Sequence, residues 1–543
     1  MIDRFHPARW LVLGLLAASL LAVPAAGAPK GKLAPNAKLL AHVSQSVAVR
    51  FWVEHPNQAP EQLRDRFRKF SELQSQSATP TRPSTPLSDT YNLDAVGLPQ
   101  NEESVTACSS ANVVLGGTND YRGLLDPEFN FTGWHLSTDG GATVANEGLL
   151  PPVNIAGKPT PSGGDPVDVA TGGCQLYAGS LNYDPFDPFH NPNGIGVYKS
   201  SPATLASCPG GSDPSCWPVR RAAAEAPAGH FFDKEWIDVG PSGAAGTVVW
   251  VVFSDFVIDD SAPLGFTSAS IKAVRCNAAL TSCTAPILIS GADKDVQFSD
   301  VTVGPDGRTY ITWSEIRGEL EQTAQTFVHK IRVAEPGSTS FGPPHVIHRE
   351  TNAIPFGGFL HANDFRVATY PKNEVKMVGG SPRIFVVWDA CSARLLDTIC
   401  EEPVIKLRYS DTGGAAWSQP RVLSAGGDNY FPTIAGDATS SKLAVAWYTN
   451  RHDSAFHNAQ DIELVSLDPG SLAVTARQRL TSPSNESEAD PLLGGFFIGD
   501  YIEAATKAGT AYVHYNANYR QVKLLGAGFP VPQQDNFLTT AGL

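Results

Sequence analysis

Seven acidic residues recur along the chain at nearly even intervals: Glu103, Asp165, Asp233, Asp300, Asp364, Asp428 and Asp500, separated by 62, 68, 67, 64, 64 and 72 residues. Carboxyl groups gathered from distant segments can do acid/base work on a glycosidic bond. One protonates the leaving oxygen while a second stabilises or attacks the anomeric carbon. A second polar set keeps step with the acids: Asn119-Asp120-Tyr121-Arg122, Asn182-Tyr183-Asp184, Ser254-Asp255-Phe256, Ser314-Glu315-Ile316-Arg317, Asp389 with Arg394, Thr449-Asn450-Arg451-His452-Asp453 and Asn516-Ala517-Asn518-Tyr519-Arg520. Arginine offers a carboxylate or sulfate a bidentate clamp, and Tyr and Trp rings stack on sugar faces. The acids also have a plainer reading, in which each accepts backbone N–H groups at a strand start and pairs with an Arg at a strand end. A ring of like charges could also hold Ca²⁺.

The elements that must position these residues follow from what surrounds each acid: a short apolar strand, a Gly-containing turn, then a strand rich in β-branched and aromatic residues. The clearest copy spans residues 300–317, with Gly304-Pro305-Asp306-Gly307 as its turn, where Pro presets φ and Gly accepts a positive φ. A period of about 66 residues with four short strands per unit predicts a β-propeller, and seven units fit the chain. In alternating strands, the start of each inner strand and the end of each second strand share one face, so both polar sets are expected at one mouth of the central channel.

Composition supports a β-rich globular protein: of 543 residues 42% are hydrophobic and 9% aromatic, with 49 Gly and 42 Pro. Net charge is −14, and the one basic run is Arg64, Arg66, Arg68 and Lys69, a solvated helix face, so nucleic-acid binding is not expected. Arg4 and Arg9 precede an apolar stretch from Trp10 to Val23 and small residues at Ala25 to Ala28. This is a secretory signal peptide over 1–28, too short for a membrane span, which places the mature protein in the periplasm or outside the cell. The eight cysteines agree, pairing as Cys208/Cys216, Cys276/Cys283, Cys391/Cys400 and Cys108/Cys174. Residues 29–95 form an arm or linker with a strand at Val47 to Val53 that could close the ring; 96–525 form the propeller and 526–543 a tail. No G-x-S-x-G, H-E-x-x-H, P-loop, dinucleotide or full EF-hand motif occurs, so no cofactor and no metal ligand are assigned.

Ser137-Thr-Asp139-Gly-Gly141-Ala-Thr143 matches S-x-D-x-G-x-T, and partial copies stand at Ser466 to Gly470, Val333 to Thr339 and Ser410 to Trp417. With these boxes the chain resembles the Asp-box (bacterial neuraminidase repeat) superfamily of sialidase-like propellers, over about residues 101–523. The repeat count predicts a seven-bladed propeller of four-stranded antiparallel blades; six blades, the commoner number in that family, is the alternative. The resemblance implies action on carbohydrate, as a sialidase-type glycoside hydrolase of an anionic or complex glycan; a monomer is expected. The family's Phe/Tyr-Arg-Ile-Pro tetrapeptide is absent, and Asn101-Glu-Glu103-Ser-Val stands near its place. Expected catalytic groups are Glu103, Asp233, Glu235 and Asp364 with Tyr430 or Tyr501. Expected substrate-binding residues are Arg122, Arg317, Arg366, Arg451, Trp236 and Asp500. A non-catalytic propeller that binds a glycan or protein, and a polysaccharide lyase, are the alternatives.

Overall fold

A computed structural model describes residues 37–76, 98–318, 325–354, 359–360, 363, 365–395, 399–437, 439–453 and 455–543. Residues 1–28, read above as a signal peptide, and Asp364 lie outside the described residues. Seven antiparallel sheets follow one another along the chain, over residues 100–149, 167–225, 230–288, 296–350, 372–422, 429–479 and 503–542. Their innermost strands are β1 (Gln100–Ala107), β2 (Val167–Ala170), β3 (His230–Pro241), β4 (Val296–Val303), β5 (Lys372–Val378), β6 (Asn429–Ala435) and β7 (Glu503–Lys507). Each of these touches the inner strands before and after it, and β7 touches β1, so the ring closes. The fold is a seven-bladed β-propeller, with seven blades rather than the six of the alternative.

The blades hold together by apolar packing between their faces. The second strands of blades 3 to 6 carry Trp250, Trp313, Trp388 and Trp447, all fully buried, among Val and Ile runs that suit a strand covered on both sides. The β4 hairpin turns at Gly304–Gly307, where Gly307 takes φ +81° and its N–H reaches Gly304 O at 2.8 Å. The turn between the third and fourth strands of blade 1 is built by side chains. Ser137 Oγ accepts the Gly141 N–H at 2.8 Å, and Asp139 Oδ1 accepts those of Ala142 and Thr143 at 3.0 and 2.9 Å. Ser410 Oγ accepts the Gly414 N–H in the same way at 3.0 Å.

Inside the channel, polar side chains of one inner strand reach the next blade. Backbone N–H groups of Val303, Asn373, Gly436, Ala504 and Val105 donate to Asp238 (2.6 Å), Asp300 (2.6 Å), Glu374 (2.9 Å), Thr433 (3.2 Å) and Glu503 (2.8 Å). Ser104 Oγ donates to Asp168 at 2.6 Å. Six of the seven blade junctions are latched this way. Four disulfides join the cysteine pairs expected from the sequence.

Two segments differ from the sequence reading. Val47–Val53 lies in a helix, not a strand: the arm folds as α1 (Ala37–His42), α2 (Gln45–Glu54) and α3 (Glu61–Gln76). Its β-branched residues are overruled because nearly the whole of α2 is buried against the propeller, and burial outweighs propensity. The tail is structural, since Val531–Gly542 pairs with Thr510–Val522 as the third strand of blade 7. Among the described residues no arm strand joins that blade.

The latch acids set a pH dependence. Burial pushes Asp168 up to about 7, against the Ser104 hydrogen bond, so the folded state holds a proton that the unfolded state releases near pH 4. Each pH unit between those values then removes up to about 1.4 kcal/mol of stability. Asp168→Asn, which keeps the acceptor for Ser104, is expected to melt above wild type by a margin that widens from pH 5 to pH 7 and then levels off, as read by thermal denaturation.

Candidate functional site

The inner strands share a local irregularity that aims side chains at one mouth of the channel. Register shifts interrupt β1 between Asn101 and Ser104, β3 between Asp233 and Trp236, β4 between Gln297 and Asp300, and β6 between Tyr430 and Thr433. At each bulge one residue takes a left-handed φ: Glu102 (60°), Lys234 (52°), Phe298 (58°) and Phe431 (51°). Asp165 (55°) and Gly499 (98°) do the same just before β2 and β7. Non-glycine residues held at positive φ cost on the order of 1–3 kcal/mol each and cluster at functional sites. The seven acids therefore do not occupy one equivalent position. Relative to the bulge residue, Asp428 stands three before, Asp233 one before, Asp165 on it, Glu103 and Asp500 one after, and Asp300 two after.

The result is a buried ionic cluster. Asp500 accepts from Lys234 Nζ at 2.6 Å and from Arg366 Nε at 3.0 Å, with Arg366 Nη2 on its other oxygen. Its backbone N–H reaches Glu102 Oε1 at 3.2 Å, and Tyr370 donates its hydroxyl to Asp500 O at 2.7 Å. Asn119 joins Glu102 Oε2 (2.5 Å) to the Asp165 N–H (2.8 Å). The arm completes the shell. Ser44 N donates to Asp233 Oδ2 at 2.7 Å, Ser44 Oγ to Asp165 Oδ1 at 2.6 Å, and Ser46 Oγ to the same oxygen at 3.1 Å. Arg366 Nη1 donates to Ala41 O and Val43 O at 3.0 and 3.1 Å.

Electrostatics divide these acids. Burial would raise Asp500, but Arg366 and Lys234 outweigh it and hold the carboxylate down to about 2. Asp233 goes the other way, pushed up to about 7 by burial and by Asp165, against the pull of Lys234. Burial, then Asp165 and Asp500, raise Glu102 well above the carboxylate range. Lys234 is raised, since Asp500 overcomes the burial of its ammonium. The cluster thus combines a fixed ion triad with carboxyls that keep a proton near neutral pH.

Of the residues singled out from sequence, Asp233, Arg366 and Asp500 meet here. Tyr501 sets its hydroxyl on Pro166 O at 2.9 Å and its ring edge-on to Trp236, over which the Lys372 ammonium sits. Glu103 and Glu235 are buried, and among the described residues neither carboxyl has a hydrogen-bond partner; burial raises both well above the usual range. Arg122, Arg317, Arg451 and Tyr430 have partners outside this cluster. Arg122 is held by Asp120 and Glu147, exposed Arg317 by Glu315, and Arg451 by Glu463. Tyr430 donates to Gln460 and stacks on Tyr448 within blade 6. Glu102, Lys234 and Ser44 were missed. A bulge leaves no mark in sequence spacing, and Ser44 reaches the site through a segment read as a linker. Among the described residues no group of three or more His, Cys, Asp or Glu side chains is arranged to hold a metal ion.

No protein-family model matches the chain, and no curated protein matches it. Solved structures do resemble it at low identity. An ulvan lyase, a polysaccharide lyase, is 6% identical with a TM-score of 0.46, covering 84% of this chain and 96% of that one. A Dyadobacter fermentans protein of unknown function is 8% identical (TM-score 0.43; 85% and 100%). An endosialidase of phage phi92 is 12% identical (TM-score 0.42; 84% and 68%).

The triad makes a direct claim on stability. Asp500→Ala leaves Lys234 and Arg366 facing each other in a buried setting and is expected to cost on the order of 3–5 kcal/mol, measured by urea unfolding.

Proposed function

We propose that the protein is a secreted carbohydrate-active enzyme that hydrolyses a glycosidic bond at this mouth, with Asp233 as proton donor and Asp165 as its partner carboxylate. The observation that carries this reading is the seat of one residue, Ser44, between two carboxyl groups from neighbouring blades, 2.7 Å from Asp233 and 2.6 Å from Asp165. Its backbone N–H meets one carboxyl and its hydroxyl the other, so a small group with two donors fits between them, in the kind of space where a glycosidase sets its substrate between acid and base. Burial lifts Asp233 to about 7 while the mouth is covered, and a seated glycan that excludes water in the arm's place would hold it there, able to donate near neutral pH as a general acid must. Arg366, backed by Asp500 and Lys234, orients a carboxylate or another acceptor-rich substituent of the glycan.

The sialidase type implied by the Asp-box resemblance would use a tyrosine nucleophile. The carboxyl pair is preferred because the hydroxyls of Tyr430 and Tyr501 are both committed to protein acceptors. Extracytoplasmic placement rests on the leader-like residues 1–28 together with four disulfides. No helix of the described residues is long and apolar enough to cross a membrane. One observation favours a non-catalytic glycan binder instead: Asp233 and Asp165 are both engaged by the arm.

The test is incubation of the mature protein, with the arm seated and with it separated, with sialosides, uronate polysaccharides and neutral glycans. New reducing ends are expected, and Asp233→Asn is expected to lower their rate by about 10²-fold or more. Unsaturated products would replace hydrolase by lyase, and retention on one glycan without turnover would leave a binder.

A further inference from the structure

The arm uses the groups that the proposed site would need for its substrate. Ser44 precedes α2 at the N-cap position, where a serine hydroxyl ordinarily satisfies an N–H of its own helix. Here it makes no such bond and spends its hydroxyl on Asp165 instead. Its N–H, at the positive end of the α2 dipole, goes to Asp233. One turn earlier, Arg366 Nη1 donates to the carbonyl oxygens of Ala41 and Val43, where an anionic or acceptor-rich ligand group would otherwise sit. Carboxyl pair and guanidinium are thus occupied by one stretch of the chain, residues 41–46.

Other anchors spread the arm across the mouth. Arg50 donates to Phe129 O of blade 1 at 2.8 Å and lies over the rings of Phe131 and Tyr183. His42 packs edge-on against Phe266 of blade 3, Trp52 against Phe496, and Arg66 donates to Asp490 O at 2.9 Å. Under this cover Asp165, Asp233 and Glu102 are 2%, 0% and 0% exposed. The propeller does not depend on the arm for strand pairing, because its seven inner strands form a closed circuit and the arm adds none.

The geometry points to residues 37–76 as a plug, a pseudosubstrate whose Ser44 stands in for a sugar hydroxyl and whose α1 end occupies the anion clamp, so that the mouth takes ligand only when the arm is displaced. This rests on the hydrolase reading for what the ligand is, but not for whether the mouth is closed. Displacement lets water reach the cluster and frees Arg366 Nη1 of both arm carbonyls.

Arg366 itself reports the state of the mouth. The full chain, carrying an inserted protease site within residues 77–97, is folded and labelled with phenylglyoxal before and after cutting and removal of the arm in sub-denaturing urea. Arg366 and the exposed Arg317 are then read peptide by peptide. Arg366 is expected to be at least about 10-fold slower to react in the uncut chain, with Arg317 unchanged. Ser44→Asp, which sets a third carboxylate against Asp165 and Asp233, is expected to raise Arg366 labelling without cutting, while the propeller keeps its cooperative unfolding transition. Equal Arg366 rates in cut and uncut chains overturn the proposal. So does loss of the unfolding transition whenever the arm leaves, which would make the arm part of the core. An opened mouth that labels at Arg366 but turns over no glycan sinks the hydrolase and leaves the plug standing.

Discussion

The propeller depends on how seven sheets, whose strands among the described residues are laddered within each sheet and not from one sheet to the next, are held in register around one axis. Apolar packing between blades is strong but lets faces slide; it fixes distance better than rotation. The channel latches supply what packing lacks. Asp238, Asp300, Glu374, Thr433 and Glu503 each take a backbone N–H from the neighbouring inner strand, and Asp168 takes the Ser104 hydroxyl. A hydrogen bond has a short range and a direction, so each latch sets the height and angle of the next blade. The acids accept this role while largely uncharged. Burial lifts Asp168 and Asp238 to about 7 and Glu374 and Glu503 to about 8, which relieves the repulsion that a ring of carboxylates would otherwise impose.

The same inner strands end differently at the other mouth. There the bulges turn Glu102, Lys234, Phe298 and Phe431 through left-handed φ values, and the strand's ordinary alternation no longer decides which side chains face the axis. One strand can then serve two purposes, latching its neighbour along the regular part and presenting charge at the bulge. The regular part is what makes the bulge affordable, since a strained residue persists only where its surroundings hold it.

Blade number, the hairpin at Gly304–Gly307, the four disulfides and the even recurrence of acids were legible in the sequence, because each leaves a local or periodic trace. The roles of the acids were not. A 66-residue period locates a strand start to within a few residues, whereas one residue decides whether a carboxyl faces the mouth, the blade interface or the channel. Asp233 reaches Ser44, Glu103 and Glu235 are sealed off, and Asp300 latches to Asn373. Arg122, Arg317 and Arg451 satisfy the sequence rule for clamp residues equally well, yet each has an acid of its own nearby. The arm was least legible, since Val47 to Val53 carries a β-like composition while its helix is buried along nearly its whole length.

The charge balance at the mouth narrows what the proposed enzyme would bind. Among the described residues the cations beside Asp165, Asp233, Glu102 and Asp500 are Lys234 and Arg366, so the closed cluster is compatible with burial because Asp233 and Glu102 are raised toward their protonated forms and the α2 N-terminus contributes partial positive charge. With the arm displaced, water would restore ionisation and the mouth would carry an acidic excess. A polyanionic chain lying across it would meet repulsion at every acid except where Arg366 reaches it. A ligand rich in hydroxyl or amide donors, with at most one acceptor-rich group to take the place of the Ala41 and Val43 carbonyls, satisfies every partner that the arm now satisfies. On that reasoning the carbohydrate is defined less by its charge than by the donors it can set between Asp165 and Asp233.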